Sequence, residues 1–260
     1  MSYEYKPIVG EDYRYQKNSD KPFKISRTKI ELYINCPRCF YKEVKLGLRQ
    51  PPSPGWAINT AVDALLKKEM DHCRKEDRPH ALFKQNGLCI KPFKHKDIEE
   101  WQNSRSGIKY LDEKHNLLFY GGVDDIMINE KEELVVIDFK ATAKKPEILS
   151  SSNIWNNGET YKRQLEVYSW LLQKNGFNVS STGYLMYYNG DASKPYLGKE
   201  MHFRRTLVPF NLKTDWMDNA GKTIYEVLQS DTIPEHISSE INPIDCHECR
   251  YLDIVQKNKW

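Results

Sequence analysis

No run of apolar residues in this 260-residue chain approaches the roughly 20 that a membrane-spanning helix requires. The opening letters, MSYEYKPIVG, lack the basic-then-apolar layout of a secretory leader. There is no internal repeat and no low-complexity tract, which sets aside repeat architectures. Net charge is also scarce: 39 Lys and Arg against 36 Asp and Glu leave +3. So weak a basic balance permits nucleic-acid binding without demanding it. Together these absences predict a soluble, cytoplasmic protein with no membrane partner. What is present is aromatic: 16 Tyr, 9 Phe and 6 Trp argue against disorder. The length suits one large domain, or a core with a small accessory part.

The most informative stretch is Leu117 to Thr142, LLFYGGVDDIMINEKEELVVIDFKAT. Two β-forming runs, Leu117–Ile128 and Leu134–Phe139, flank a polar loop at Asn129–Glu133, which predicts a hairpin. Centred on Lys131, that hairpin sets Asp124 directly opposite Asp138 on one face, with Cβ atoms about 4.5–5.5 Å apart. Two carboxylates so close repel unless a cation lies between them, and Mg²⁺ is commonly held by one or two carboxylates. Lys140 shares the face of Asp138, while Ile137 and Phe139 point the other way. Opposite Lys140 the same register puts Gly122, predicting open space above the acids. Asp125 alternates to the opposite face. A solvated strand face carrying Asp and Lys accounts for the same letters, so the hairpin alone leaves both readings open.

Four of the six cysteines form two C-x-x-C pairs, Cys36/Cys39 and Cys246/Cys249. In a reducing compartment that spacing favours a metal over disulfides. Cys73 and Cys89 read as ordinary semi-buried thiols.

Residues 1–25 read as an irregular arm. Ser26 has the character of an N-cap for a helix through Ile30 and Ile34, leading into Cys36. After a Pro-rich break at Gln50–Gly55, a helix over Ile58–Arg74 is predicted to bury Ala61, Leu65, Leu66 and Met70. Loops follow to Ser106. Beyond the hairpin come a helix at Glu159–Asn175 stopped by Gly176, strands at Thr182–Tyr188 and Glu200–Leu207, a helix at Leu212–Leu228 and a short final helix. Helices flanking a central mixed β-sheet make an α/β (α+β) fold.

Read in order, Gly122-Val123-Asp124, Asp138-Phe139-Lys140 and Gln164-x-x-x-Tyr168 resemble the PD-(D/E)XK nuclease superfamily, and within it the RecB-like branch. The four cysteines resemble the iron–sulfur subgroup, which includes AddB-type and CRISPR-associated nucleases. That subgroup usually has one N-terminal and three C-terminal cysteines, whereas here the division is two and two. The resemblance implies a restriction-endonuclease-like core spanning 26–260 as a single domain. Segments 26–50 and 230–260 would be clasped by a Cys-ligated metal. Resemblance favours a 4Fe–4S cluster, and four thiolates suit tetrahedral Zn²⁺ equally. Such a clasp closes a loop of about 200 residues, a constraint on the order of several kcal/mol.

For the reaction, the resemblance implies a Mg²⁺- or Mn²⁺-dependent deoxyribonuclease. Asp124, Asp138 and the main chain of Phe139 would be ligands. Asp63 stands where the family has a histidine on the upstream helix. Lys140, Gln164 and Tyr168 would complete the catalytic set. Lys144, Lys145, Lys162, Arg163, Arg204 and Arg205, with Trp155 and Tyr161 for stacking, suit single-stranded DNA or DNA ends. Protein partners in DNA repair or defence are expected. A non-catalytic binding module within a larger assembly is the alternative.

Overall fold

The computed structural model describes residues 10, 13–49, 57–144, 148–193, 195–196, 198–235 and 246–250. The Pro-rich break, Lys145, residues 1–9, 11 and 12 of the N-terminal arm and most of the expected final helix lie outside them.

In chain order the elements are β1 (Phe23–Ser26), α1 (Arg27–Asn35), α2 (Pro37–Val44), α3 (Ala57–Lys75), α4 (Ala81–Gln85), β2 (Lys91–Pro92), α5 (Ile98–Trp101), β3 (Ile108–Asp112), β4 (Leu117–Gly121), β5 (Asp125–Ile128), β6 (Leu134–Thr142), α6 (Glu159–Lys174), β7 (Thr182–Gly190), β8 (Phe203–Asn211) and α7 (Trp216–Gln229). The chain divides into two units. One contains residues 1–53, 111–119 and 215–260, and the other 54–110 and 120–214.

The second unit is built on a five-stranded sheet ordered β2-β5-β6-β7-β8. Strands β5 and β6 are antiparallel, β6 and β7 parallel, and β7 and β8 antiparallel, so the sheet is mixed. A parallel pair needs a crossover, and α6 supplies it between β6 and β7. The crossover enters α6 through Asn156, Asn157 and Gly158, all at positive φ. A Cβ on Gly158 would meet the Phe210 ring at 2.8 Å, so glycine is required there twice over.

Strand alternation decides what each face of the sheet does. Val135, Ile137 and Phe139 join Met127, Tyr184 and Met186 in a core with Leu66 and Met70 of α3 and Leu82 and Phe83 of α4. Asp138 and Lys140 project to the other face, where α6 lies. Removing one of the fully buried chains in that core, such as Phe83 or Met70, would cost about 2–5 kcal/mol.

The first unit holds β1, α1, α2 and α7. Ser26 caps α1, its hydroxyl accepting from the Lys29 amide. Cys36 ends α1 and caps α2 with its thiol, and Pro37 follows at the first helical position.

The structure corrects several expectations. The run Leu117–Ile128 is two strands in different sheets, broken at Gly122–Asp124. Residues 23–25 of the expected arm belong to strand β1, which ends at Ser26. Strand β8 begins at Phe203 rather than Glu200, and α7 at Trp216 rather than Leu212. On α3, Ala61 and Leu65 are exposed, while Leu66 and Met70 are buried. Cys73 is fully buried and Cys89 exposed.

Candidate active site and four-cysteine centre

The β5–β6 hairpin pairs Asp125 with Ile137 and Ile128 with Leu134, the register centred on Lys131. The polar loop fixes it. The Asn129 amide donates to Glu133 O at 3.1 Å, and Asn129 Oδ1 accepts from the amides of Lys131 and Glu133. One step beyond the last ladder pair, the Phe139 amide donates to Asp124 Oδ2 at 2.6 Å. Gln102 Nε2 donates to the main-chain oxygen of Asp124 at 3.0 Å, anchoring the residue where the strand breaks.

Gly122 does not leave open space above the acids. A Cβ there would come within 2.8 Å of Asn103 O and Ser104 Cα, so the glycine admits a close backbone approach.

Asp138 is 1% exposed. Its Oδ1 accepts from Gln164 Nε2 at 2.6 Å, and its Oδ2 forms an ion pair with Lys140 Nζ. Gln164 Nε2 also lies 3.2 Å from the Tyr168 hydroxyl, one helical turn along α6. The Lys140 ammonium sits over the Tyr161 ring, 4.8 Å from its centroid.

Burial raises the Asp124 pKa well above the ordinary carboxylate value, and the Asp138 charge raises it further. Lys140 and the Phe139 amide oppose this. Burial lowers the Lys140 pKa, but the charges of Asp138 and Asp124 outweigh it and the net shift is upward. The site is thus two acids and one amine in a buried, self-compensating arrangement.

Asp63, on α3, is half-exposed and pairs with Lys67 at 3.1 Å; its charge is near enough to raise the Asp124 pKa. The ring of Phe139 packs in the α3 core. The Lys144 ammonium donates to Asn153 O at 2.9 Å, and its main chain is bracketed by the Asn189 side chain. Arg163 is only 7% exposed and bonds to Thr160 Oγ1. Lys162 pairs with Glu166 at 3.8 Å. Arg204 is half-buried and Arg205 exposed, while Trp155 is 86% exposed. Beside Lys140, a cleft is lined by Ile58, Asn59, Ala141, Tyr161, Met201 and Phe203.

Sequence reasoning missed Arg74. It is buried on α3 and its guanidinium pairs with Asp125, which is fully buried, while its Nε donates to Phe93 O at 2.9 Å. Burial pushes the Asp125 carboxyl up to about 6, against the pull of Arg74. The signal was available: an arginine four residues past the buried Met70 lies on the apolar stripe and needs a partner.

The donor sets fit different metals. Asp124 and Asp138 offer hard oxygens, the chemistry of Mg²⁺ or Mn²⁺. Cys36, Cys39, Cys246 and Cys249 bring their sulfurs within 4.8 Å of one another. Closest approaches are 3.5 Å for Cys39–Cys249, 3.6 Å for Cys36–Cys249 and 3.7 Å for Cys39–Cys246. None is a disulfide. The Cys39 amide donates to Cys36 Sγ at 3.4 Å. Hydrogen bonding with Cys39 above all, and more weakly with Cys249 and Cys246, brings the Cys36 thiol down to about 5 against the upward push of burial. His247, beside this centre, is exposed. Among the described residues no helix is long and apolar enough to cross a membrane.

The family model of the PD-(D/E)XK nuclease superfamily matches residues 57–254. No curated protein matches the sequence.

Proposed function

Because the chain belongs to the PD-(D/E)XK nuclease superfamily, we propose that it is a metal-dependent deoxyribonuclease that hydrolyses phosphodiester bonds in single-stranded DNA or at DNA ends. The observation that carries this reading is the convergence of Asp124, Asp138, Lys140 and Gln164 on one face of β6, with Asp138 gripped from two sides. A protein that only bound DNA would gain nothing from burying two adjacent carboxylates, which destabilise each other.

In this reading Asp124 and Asp138 hold Mg²⁺ or Mn²⁺, with the Phe139 carbonyl and Asp63 completing the protein ligands. Such an ion polarises the phosphate and lowers the pKa of bound water. The remaining work belongs to the side chains. Gln164 fixes the rotamer of Asp138, and Tyr168 fixes Gln164 in turn. Lys140 supplies positive charge where the attacked phosphate gathers negative charge. Tyr161 limits where the ammonium can go. The cleft beside Lys140 is the entry for the strand, with Lys144, Arg163, exposed Trp155 and exposed Arg205 as contacts; Lys145, outside the described residues, is proposed as a further contact on its sequence alone. Residues 26–260 act as one nuclease domain in the cytoplasm, where free thiols persist and can hold metal. Partners in DNA repair or defence fit this activity.

The test is cleavage of end-labelled single- and double-stranded DNA in Mg²⁺, Mn²⁺ or EDTA, beside Lys140→Ala. Metal-dependent cleavage lost in the variant supports the reading. Metal-loaded, folded protein that binds DNA without cutting it overturns catalysis in favour of a binding module.

A further inference from the structure

The spacing of the four cysteine sulfurs identifies what they can hold. With metal–sulfur bonds of about 2.3 Å, four thiolates placed tetrahedrally on one zinc ion have sulfurs about 3.8 Å apart. The observed separations of 3.5, 3.6 and 3.7 Å fall at that edge length, and all four sulfurs lie within 4.8 Å of one another. In a four-iron cluster each thiolate binds a different iron, so a body of iron and sulfide must stand between the four sulfurs. Sulfurs already at single-ion spacing leave no room for that body.

The surrounding chain supports the smaller occupant. Cys36 is fixed by its place as the cap of α2, and the Cys39 amide donates to its sulfur. Cys36 and Cys249 are each 1% exposed. On the C-terminal side, the Arg250 amide donates to Cys246 O, tying the second pair into one turn. Each pair is thus held within its own turn, and the two turns meet with sulfurs 3.5–3.7 Å apart.

From this geometry we infer that the centre is a closed mononuclear Zn²⁺ site rather than an iron–sulfur cluster. Four-thiolate tetrahedral coordination selects zinc when iron–sulfur chemistry is excluded by size. All four positions are filled by protein, so the ion has no place for water or substrate and its role is structural. It joins Cys39 to Cys246 across a separation of 207 residues.

The test uses the full chain expressed with both iron and zinc available and purified without oxygen, so that no cluster is lost. Metal and acid-labile sulfide are quantified per chain, and the visible spectrum is recorded. The expected result is one zinc, no sulfide and no broad absorption near the violet edge. Exchange with Co²⁺ should then give the intense visible bands of a tetrahedral thiolate site. Several irons with matching sulfide, a single iron without sulfide, or no metal would each overturn the assignment. Cys246→Ser, expected to lower zinc occupancy at least tenfold, is read by the same metal assay, with circular dichroism reporting whether it has folded.

Discussion

Gln164 on α6 donates from Nε2 to Asp138 Oδ1 at 2.6 Å, while the Lys140 ammonium takes the other oxygen of the same carboxylate. The crossover helix therefore orients the acid. Removing the amide leaves Asp138 with one fixed oxygen and a free rotation. Outer partners of metal ligands are worth about 10- to 100-fold in affinity or activity. Gln164→Ala should lower cleavage by about that factor and raise the Mg²⁺ concentration needed for half-maximal rate. A fall in rate with the Mg²⁺ requirement unchanged would show that Gln164 acts on the DNA instead.

The Arg74–Asp125 pair lies under the site, with Asp125 wholly buried. Breaking a buried pair from one side strands the other charge, at about 3–5 kcal/mol. Arg74→Met should cost that much in urea denaturation. The double variant Arg74→Met with Asp125→Asn should recover most of the loss, because no charge is then left alone. If single and double variants are equally unstable, the cost is lost packing rather than an uncompensated charge.

His80 gives the fold a dependence on pH. Its buried Nδ1 accepts the Leu82 amide at 3.1 Å, so the proton is on Nε2, 3.1 Å from Glu69 Oε1. Burial lowers its pKa below the ordinary 6.5, outweighing the attraction of Glu69. On acidification the unfolded chain therefore takes up this proton first. The stability linked to His80 is complete above the ordinary histidine value and is lost as pH falls below it. Asp125, raised to about 6, contributes with the opposite sign in an overlapping window, so the informative quantity is wild type minus variant. Between about pH 7 and pH 5.5, His80→Asn should lose less stability than wild type. The asparagine keeps an acceptor for the Leu82 amide. Equal losses would assign the slope to other groups.

The hairpin register was legible because its determinants are local: an Asn-headed polar loop with β-forming runs on either side. Gly122 was not. What it touches is Asn103 and Ser104, nearly twenty residues upstream, and no periodicity signals such an approach. The break it creates also hid the division of one apparent strand between two sheets. The order of Asp124, Asp138, Lys140, Gln164 and Tyr168 was readable as a motif, yet the grip of Gln164 on Asp138 depends on a crossover that only the assembled sheet defines. The cysteine pairs announced a metal, while the meeting of all four sulfurs within 4.8 Å required two segments far apart in the chain.

Helix α3 shows the limit of periodicity within a single element. Leu65 and Leu66 are adjacent, about 100° apart around the axis, and both fit an apolar stripe by letter alone. The sheet chooses between them. Val62, Leu66 and Met70 pack on β6, while Leu65 is 64% exposed. Leu66→Ala should then cost about 2–5 kcal/mol. Leu65→Lys should stay within about 0.5 kcal/mol of wild type, since a lone exposed leucine contributes little to folding. The two variants share a helix and differ by one position, so helix propensity cannot separate them. Comparable destabilisation by both, measured in urea, would mean that Leu65 is covered in solution and that the helix face it marks is occupied.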